Sequence, residues 1–246
     1  AIRDVYKRQA LSGAGTLVKQ GNATLALTGS SNFLGTYQID AGQLNLLGSN
    51  STNAAQVTVG ASGILGVGID SSLQSLSGQG SVQVYNNSAL TLRSGTFAGG
   101  ITGNGGLIVD SGTVALTGSN NLIGSTRVSS GTLQVDGSLT TASLSVASGA
   151  TLGGSGSIVS AVTIADGGHL QAVSSNTLTT GNLTLNNDSN LDAFLGAAIA
   201  GDAGMIKVNG NLVLDGKLNV TDVGGFGLGV YRLIDYTGGL TDNGLQ

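Results

Sequence analysis

The chain has 246 residues, including 43 Gly, no Pro and no Cys; 9% of its residues are charged, and its formal net charge is −4. The absence of Cys excludes disulfides and thiolate metal sites, and the shortage of basic residues argues against nucleic-acid binding. All 13 acidic residues are the turn former Asp and none is the helix former Glu, which predicts an all-β fold.

The first nine residues, AIRDVYKRQ, differ from everything that follows. They carry four charged side chains and no Gly, and they resemble a translated sequencing-adapter scar. We therefore interpret residues 1–9 as non-native and omit them from the fold prediction; the alternative is a genuine basic arm. Without them six basic residues face twelve Asp, a balance that suits a solvated surface and disfavours nucleic acid as a partner.

From residue 10 onward the sequence consists of short alternating segments separated by Gly, Asn, Asp and Ser. Apolar residues recur two positions apart, as in Leu44/Leu46, Val82/Val84 and Leu133/Val135. This period is typical of strands with one buried face and one solvated face. Hydrophobic residues make up 40% of the chain, enough for burial to offset chain entropy, and no window is long and apolar enough to predict a transmembrane helix.

One phrase occurs twice, at 26–49 and at 115–138, with 11 of 24 positions identical at an offset of 89 residues. The retained residues include the pairs Gly42/Gly131 and Asn32/Asn121, which we take to mark turns or positive φ. Within the second copy we expect Gly124 and Gly131 to turn the chain. We expect these residues to fill the core: Leu116, Ile123, Val128, Leu133 and Val135.

Such quasi-repetition favours a solenoid over an antiparallel sandwich or a barrel, because each repeat covers the apolar face of its neighbour. We predict a right-handed parallel β-helix, a single rod. With 20 to 25 residues per coil it would have about 10 to 12 coils. A rise of roughly 4.8 Å per coil gives a length of about 50 to 55 Å. The lack of Pro agrees with this prediction, since interior rungs need every backbone N–H.

The segment GNGGLIVDSGTVALTGSNNLIGSTRVSSGTLQVDGSL at 103–139 resembles the autotransporter-associated β-strand repeat of bacterial autotransporter passenger domains, and 13–49 is a diverged second copy. ATLGGSGSIVSAVTIADGGHLQA at 150–172 resembles the segment that follows the last repeat. Residues 181–245 resemble the C-terminal end of a passenger. An Ala-Pro-Gly found in many relatives after the Gly-Gly pair is missing here.

The resemblance implies type V secretion and a place on the outer membrane, on the cell surface or in the medium. It also implies a partner, the protein's own C-terminal outer-membrane β-barrel translocator, so we expect the chain to be a fragment. We predict a β-helix repeat region at 10–175 and C-terminal passenger coils at 176–246. Host or neighbouring-cell glycans or proteins are the further partners expected of such a passenger.

Candidates for chemistry are few. His169 is the only His and lies in the turn-like sequence DGGHL, so we interpret it as a surface turn residue. The alternative function is a β-helix polysaccharide lyase or hydrolase, which requires three or more Asp and Arg side chains to converge on one groove. The candidates are Asp40, Asp70, Asp110, Asp136, Arg93 and Arg127. Turn Asp is common for backbone reasons, and we predict no catalytic, cofactor or metal residues.

The aromatic residues and sequons are given structural interpretations. Core or coil-cap packing is predicted for Phe33, Phe97, Phe194 and Phe226. Tyr231 and Tyr236 are expected to cap the rod, Arg127 to point into solvent, and sequon-like triplets such as that at Asn182 to occur by chance.

The leading hypothesis is a non-enzymatic, adhesin-like surface rod whose Thr, Asn and Ser ladders make weak multivalent contacts. An ice-binding rod is disfavoured because the Thr-x-Thr spacing is irregular.

Overall fold

A computed structural model describes residues 5–7, 11–48, 55–174, 176–198 and 204–246. Within these ranges every regular element is a β-strand, and every pairing between strands is parallel. The strands are β1 Val5–Lys7, β2 Ser12–Gly13, β3 Thr16–Lys19, β4 Thr24–Leu27, β5 Asn32–Phe33, β6 Thr36–Leu46, β7 Gln56–Val67, β8 Ser71–Leu73, β9 Ser75–Gly78, β10 Ser81–Val84, β11 Ala89–Leu92, β12 Gly95–Phe97, β13 Gly100–Gly103, β14 Gly106–Val109, β15 Thr113–Leu116, β16 Ser119–Leu122, β17 Thr126–Val128, β18 Thr132–Val135, β19 Ser138–Thr140, β20 Leu144–Val146, β21 Thr151–Gly153, β22 Ser157–Ile158, β23 Val162–Ile164, β24 His169–Val173, β25 Leu178–Thr180, β26 Leu183–Leu185, β27 Asn190–Leu195, β28 Ile206–Val208, β29 Leu212–Leu214, β30 Lys217–Asp222, β31 Ile234–Tyr236 and β32 Leu240–Asp242.

The strands stack into three faces that the chain visits in turn. Face 1 is formed by β3, β6, β7, β9, β12, β15, β18, β21, β24, β27 and β30. Face 2 is formed by β1, β4, β6, β7, β10, β13, β16, β19, β22, β25, β28 and β31. Face 3 is formed by β2 and β5 and, further along, by β8, β11, β14, β17, β20, β23, β26, β29 and β32. The long strands β6 and β7 pass from face 1 to face 2, with a register shift after Ile39.

This architecture confirms the predicted parallel β-solenoid. Face 3 stacks nine strands in one continuous sheet within the described residues, about nine turns of the solenoid. Face 1, which also includes the earlier rungs β3, β6 and β7, stacks eleven strands, within the 10 to 12 coils expected. Thr113, Thr132 and Thr151 pair in successive rungs, a coil of 19 residues. Near the C-terminus the coils lengthen, since Leu183 pairs with Leu212, 29 positions further on.

The core is one continuous cluster of inward-facing aliphatic residues that runs from Leu27 to Leu212. Val114, Leu133 and Leu152 stack in register on face 1 and are almost completely buried. The alternation follows from the strand period, which sends every second side chain inward. Burying a Leu or Val side chain contributes about 1.5–3 kcal/mol, and the parallel stacking places one of these residues on every rung.

One core prediction is wrong. Ile123 is 72% exposed, although Leu116, Val128, Leu133 and Val135 are fully buried as expected. In the sequence NNLIG two apolar residues are adjacent, and only one of them can point inward from a strand. Here β16 ends at Leu122, which takes the inward position.

The four Phe side chains differ in burial, and not all of them match the prediction. Phe33 and Phe97 lie in the core, as predicted. Phe194 occupies an outward-facing position of β27 and is half-buried, so it is not a core residue. Phe226 is 43% exposed and contacts Tyr231 at a ring-centroid distance of 5.0 Å. The prediction of core or coil-cap packing is therefore wrong for Phe194, whose strand alternation directs the ring away from the core.

The two copies of the repeated phrase do not lie on the same faces. β4 of the first copy belongs to face 2, whereas its counterpart β15 belongs to face 1. Likewise the first half of β6 lies on face 1 and its counterpart β17 on face 3. An offset of 89 residues corresponds to about four and two-thirds coils of this length. The second copy is therefore rotated by one face, and the same phrase forms different sides of the rod in its two positions.

The retained Gly pair has the predicted backbone conformation. Gly42 and Gly131 have φ of 68° and 73°, in the region that L side chains seldom adopt. A Cβ at Gly131 would also overlap the carbonyl oxygen of Gly112 on the preceding coil. At Gly124 the φ is not positive, but a Cβ would come within 2.5 Å of the carbonyl oxygen of Gly105. Both glycines are thus required where neighbouring coils approach closely.

The retained Asn pair was misinterpreted. Asn32 and Asn121 lie on strands and are exposed, rather than in turns of positive φ. The structural amide is that of Asn120, which is 2% exposed. Its Oδ1 accepts from the Ile101 N–H at 3.0 Å, and its Nδ2 donates to the Ser138 carbonyl at 3.1 Å. Asn120 therefore links the coil before it to the coil after it.

Candidate binding surface

The outward-facing positions of the rod form straight columns, because parallel register places equivalent residues directly above one another. On face 3 one column contains Ser72, Thr91, Ile108, Arg127, Ser145, Thr163, Thr184, Val213 and Thr241. Most members carry a hydroxyl group. Arg127 is exposed within this column, as predicted.

Faces 1 and 2 carry similar columns. On face 1 Thr113, Thr132 and Thr151 occupy successive rungs. On face 2 the column reads Gln83, Thr102, Asn121 and Thr140. Some neighbours bond along the column, as in the 3.1 Å contact between Thr58 Oγ1 and Ser77 Oγ. The predicted Thr, Asn and Ser ladders are therefore present as rows of hydroxyl and amide groups with rung spacing.

The corners between faces are held by Asp and Asn side chains. Asp70 Oδ1 accepts from the Ala89 N–H at 2.8 Å, and Asp136 Oδ1 accepts from the Ser155 N–H at 3.0 Å. In the same way Asn211 donates its backbone N–H to Asn182 Oδ1. Each of these bonds joins one coil to the next. Satisfying corner N–H groups explains why the chain uses Asp so often.

The Asp and Arg candidates for a hydrolytic groove are distributed over different corners. Asp70 lies between faces 2 and 3, Asp110 between faces 3 and 1, and Asp136 between faces 1 and 2. Asp40 also lies between faces 1 and 2 but five rungs before Asp136, and hydrogen bonds from the Gln38 and Gln20 amides lower its pKa. These four carboxylates do not converge.

The two Arg candidates are also apart. Arg93 forms an ion pair with Asp110 at 3.5 Å between Nε and Oδ2. Arg127 projects from face 3, on the rung that follows β14. Within the described residues no group of three or more His, Cys, Asp or Glu side chains could hold a metal ion. Among those residues we also find no helix with the length and hydropathy needed to cross a membrane.

His169 has a partner that sequence reasoning missed. It begins β24 rather than lying in a turn, and its Nδ1 is 2.7 Å from Asp192 Oδ2 on the next rung. Asn219 on the following rung donates to Asp192 Oδ1 at 2.8 Å. The strand alternation in HLQAV and NLDAFL could have placed His169 and Asp192 on the outer surface. Their pairing depends on a coil length that the sequence does not show.

A second contact in this region involves Lys217. Its Nζ donates to Asp188 Oδ1 at 2.9 Å. The hydrogen bond and the positive charge of Lys217 both lower the pKa of the Asp188 carboxyl. Both side chains are about half exposed, so we expect the pair to contribute little to stability.

The C-terminal coils form an open, apolar pocket of about 280 Å³. It is lined by Leu191, Leu212, Leu214, Tyr231, Leu233, Ile234, Tyr236, Leu240 and Leu245. Tyr231 packs against the core and its hydroxyl donates to the Gly196 carbonyl at 3.2 Å. Tyr231 thus packs within the last coils, whereas Tyr236 is 45% exposed; that the two residues cap the rod stays a prediction.

Comparison with known proteins places the repeated phrase in a family. The passenger-associated-transport-repeat family matches residues 17–46 and 109–135. Both copies of the repeated phrase are similar to this repeat over the matched residues. The matched ranges contain β4 and β6 in the first copy and β15 and β18 in the second, the strands that the 89-residue offset relates. The predicted resemblance to autotransporter passenger repeats is confirmed.

A curated autotransporter is similar in sequence to part of the chain. The chain is 52% identical over 71 residues to the adhesin BmaC autotransporter of Brucella suis biovar 1 (strain 1330). The matched region is 27% of this chain and 2% of that protein, so the chain spans a small part of the relative's length. No solved structure matches the chain significantly.

Proposed function

We propose that this chain is an adhesive, non-enzymatic rod of an autotransporter passenger, displayed on the bacterial surface or released from it. The observation that carries the proposal is the set of outward hydroxyl and amide columns on a solenoid with passenger-associated transport repeats. The name of the relative, an adhesin, supports the same function. The translocator partner is the protein's own C-terminal outer-membrane β-barrel, as the passenger repeats imply.

The columns suit weak contacts that act together. A single hydrogen bond contributes only about 0.5–1.5 kcal/mol net, too little for attachment. A column such as Ser145, Thr163 and Thr184 repeats the same group at the rung spacing of about 4.8 Å. Contacts to a repetitive ligand then form with a high effective concentration after the first one, which multiplies affinity without new chemistry. Host or neighbouring-cell glycans and proteins are the ligands proposed.

The test is attachment of coated beads to a cell monolayer. Beads carrying the full chain should adhere to cultured epithelial cells more than beads carrying albumin. Replacing Ser145, Thr163 and Thr184 together by Ala should reduce adhesion if face 3 takes part, with equivalent triple variants for faces 1 and 2. Equal attachment of chain-coated and albumin-coated beads would refute the proposal. Release of reducing ends from polysaccharide substrates would refute the non-enzymatic part of it.

A further inference from the structure

Face 1 changes character at its last three rungs. The strands β24, β27 and β30 contain five, six and six residues, whereas most strands of the rod contain two to four. Each of the three therefore displays three outward side chains. The rungs add a surface of about 10 by 13 Å, from two interstrand spacings and four residues of strand rise.

The nine outward positions form a regular grid, here called the plate. Its rows, in register, are His169, Gln171 and Val173; Asn190, Asp192 and Phe194; and Lys217, Asn219 and Thr221. All nine are at least partly exposed. Asp192 is at the centre of the grid. By contrast, the corresponding positions of β15, β18 and β21 hold Thr, Ala, Gln and Gly, without a titratable group.

Asp192 is held in position and keeps acceptor capacity. His169 contacts one of its carboxylate oxygens at 2.7 Å and Asn219 donates to the other at 2.8 Å. An ionised carboxylate acts only as an acceptor, so the imidazole donates through Nδ1. A carboxylate has about four lone-pair sites, and two are used. The Asp192 side chain is 20% exposed, which leaves the other two available to hydroxyl donors.

The neighbours of Asp192 provide further polar groups and one apolar surface. Asn219 Nδ2 also donates to Asn190 Oδ1 at 3.2 Å, so that the two amides are fixed relative to each other. Phe194 stands two positions along the strand from Asp192, half-buried. An aromatic ring beside a carboxylate and amides offers stacking for C–H groups and acceptors and donors for hydroxyls.

The charge on the plate disfavours an anionic ligand. Lys217 is neutralised by Asp188 at 2.9 Å, which leaves the Asp192 carboxylate as the uncompensated charge when His169 is neutral. An anionic ligand would be repelled at the centre of the grid.

We propose that the plate is a binding subsite for a neutral hexopyranose, in which Asp192 and Asn219 bind adjacent sugar hydroxyls and Phe194 contacts the apolar side of the ring. This inference rests on the proposed adhesive function and gives it a ligand class and a location. A single sugar ring has few atoms for binding, so we expect millimolar dissociation constants for monosaccharides and tighter binding for polymers.

The test uses the full chain and three soluble probes, methyl α-D-mannopyranoside, methyl β-D-glucopyranoside and methyl β-D-galactopyranoside. Saturation-transfer NMR should detect binding of at least one glycoside. Asp192→Asn, which keeps the shape of the side chain, should weaken that binding at least tenfold, and Phe194→Ala should also weaken it. The matched control is Gln134→Ala, an outward position of face 1 three rungs earlier, which should leave binding unchanged.

Should Asp192→Asn disturb folding, mapping on the unaltered protein decides the question. The bound glycoside should shift the side-chain amide signals of Asn190 and Asn219 and leave that of Asn121 on face 2 in place. Failure of all three glycosides to bind, or binding that the plate variants do not weaken, would overturn the proposal. If beads still attach to cells in that case, only the sugar-binding role of the plate is refuted. If glycosides bind but the beads do not attach to cells, the adhesive function is refuted instead.

Discussion

Asn120 Oδ1 accepts a hydrogen bond from the backbone N–H of Ile101, 3.0 Å away on the preceding coil, and Asn120 Nδ2 reaches the following coil through the Ser138 carbonyl. One amide in the interior thus connects three consecutive coils. Its counterpart in the first copy of the repeat, Ser31, is also buried and donates to the Leu11 carbonyl at 2.8 Å. Both copies therefore place a polar side chain at the same buried position.

Replacing Asn120 by Ala should destabilise the rod by about 2–3 kcal/mol, because buried backbone groups on two coils lose their partners. The measurement is urea unfolding followed by circular dichroism. Asn121→Ala is the matched control, since its side chain is exposed on the same strand, and its effect should stay within about 0.5 kcal/mol. Equal effects of the two substitutions would contradict the role assigned to Asn120.

Leu133→Ala should cost about 2–5 kcal/mol, the range for removing a large aliphatic side chain from a packed core. Leu133 is completely buried between Val114 and Leu152, so neighbouring coils on both sides lose contacts. Gln134→Ala changes the adjacent outward position and should have little effect on the unfolding midpoint. A small loss for Leu133→Ala would mean that the coils do not share one cooperative core.

Gly131 and Gly149 allow the cost of a left-handed backbone conformation to be measured separately from the cost of a steric clash between coils. Gly131 and Gly149 both have φ of 73°, but a Cβ at Gly131 meets the backbone of the preceding coil and one at Gly149 meets no atom within 4 Å. Gly149→Ala should therefore cost only the left-handed conformation, about 1–2 kcal/mol. Gly131→Ala should cost more than this in thermal or urea unfolding. A smaller loss at Gly131 would show that the close approach between coils is absent.

The ion pair between Asp188 and Lys217 predicts a weak dependence of stability on acid. Lys217 lowers the pKa of Asp188 in the folded protein, so the stabilising contribution is present above the unfolded-state pKa of about 3.9 and disappears as the pH falls through the lower folded-state pKa. Asp188→Asn should be slightly less stable than the unaltered chain at neutral pH.

That difference should vanish in strong acid and shrink in high salt, because both groups are solvent-exposed and screened. Urea midpoints measured from neutral to acidic pH, at low ionic strength, check the prediction. Lys217→Met supplies the control, since in that background only the weaker hydrogen bond from Asn187 lowers the pKa of Asp188, and Asp188→Asn should alter the pH profile less. A stability difference that grows on acidification would contradict a lowered pKa of Asp188 in the folded protein.

The sequence predicted the fold class, the inward aliphatic residues of most strands and the positive φ of Gly131, since each depends on local alternation or on a single backbone conformation. It failed where two adjacent residues compete for one inward position, as Leu122 and Ile123 do. It also identified Asn121 as the structural residue of the repeat, although the buried amide belongs to Asn120. Neither error could be corrected without knowing where the strand begins and ends.

The sequence by itself determined that the chain would form a parallel solenoid, because strand periodicity, turn residues and repetition are all local properties. Only the tertiary structure decided which residues are neighbours across coils. A coil of 19 residues rotates the second copy by one face relative to the first, and a longer coil near the C-terminus brings Asn219 to Asp192. The contact of His169 with Asp192 arises in the same way. The number of residues in each corner sets the total length of a coil and so the register between rungs, and no local sequence pattern encodes that total length.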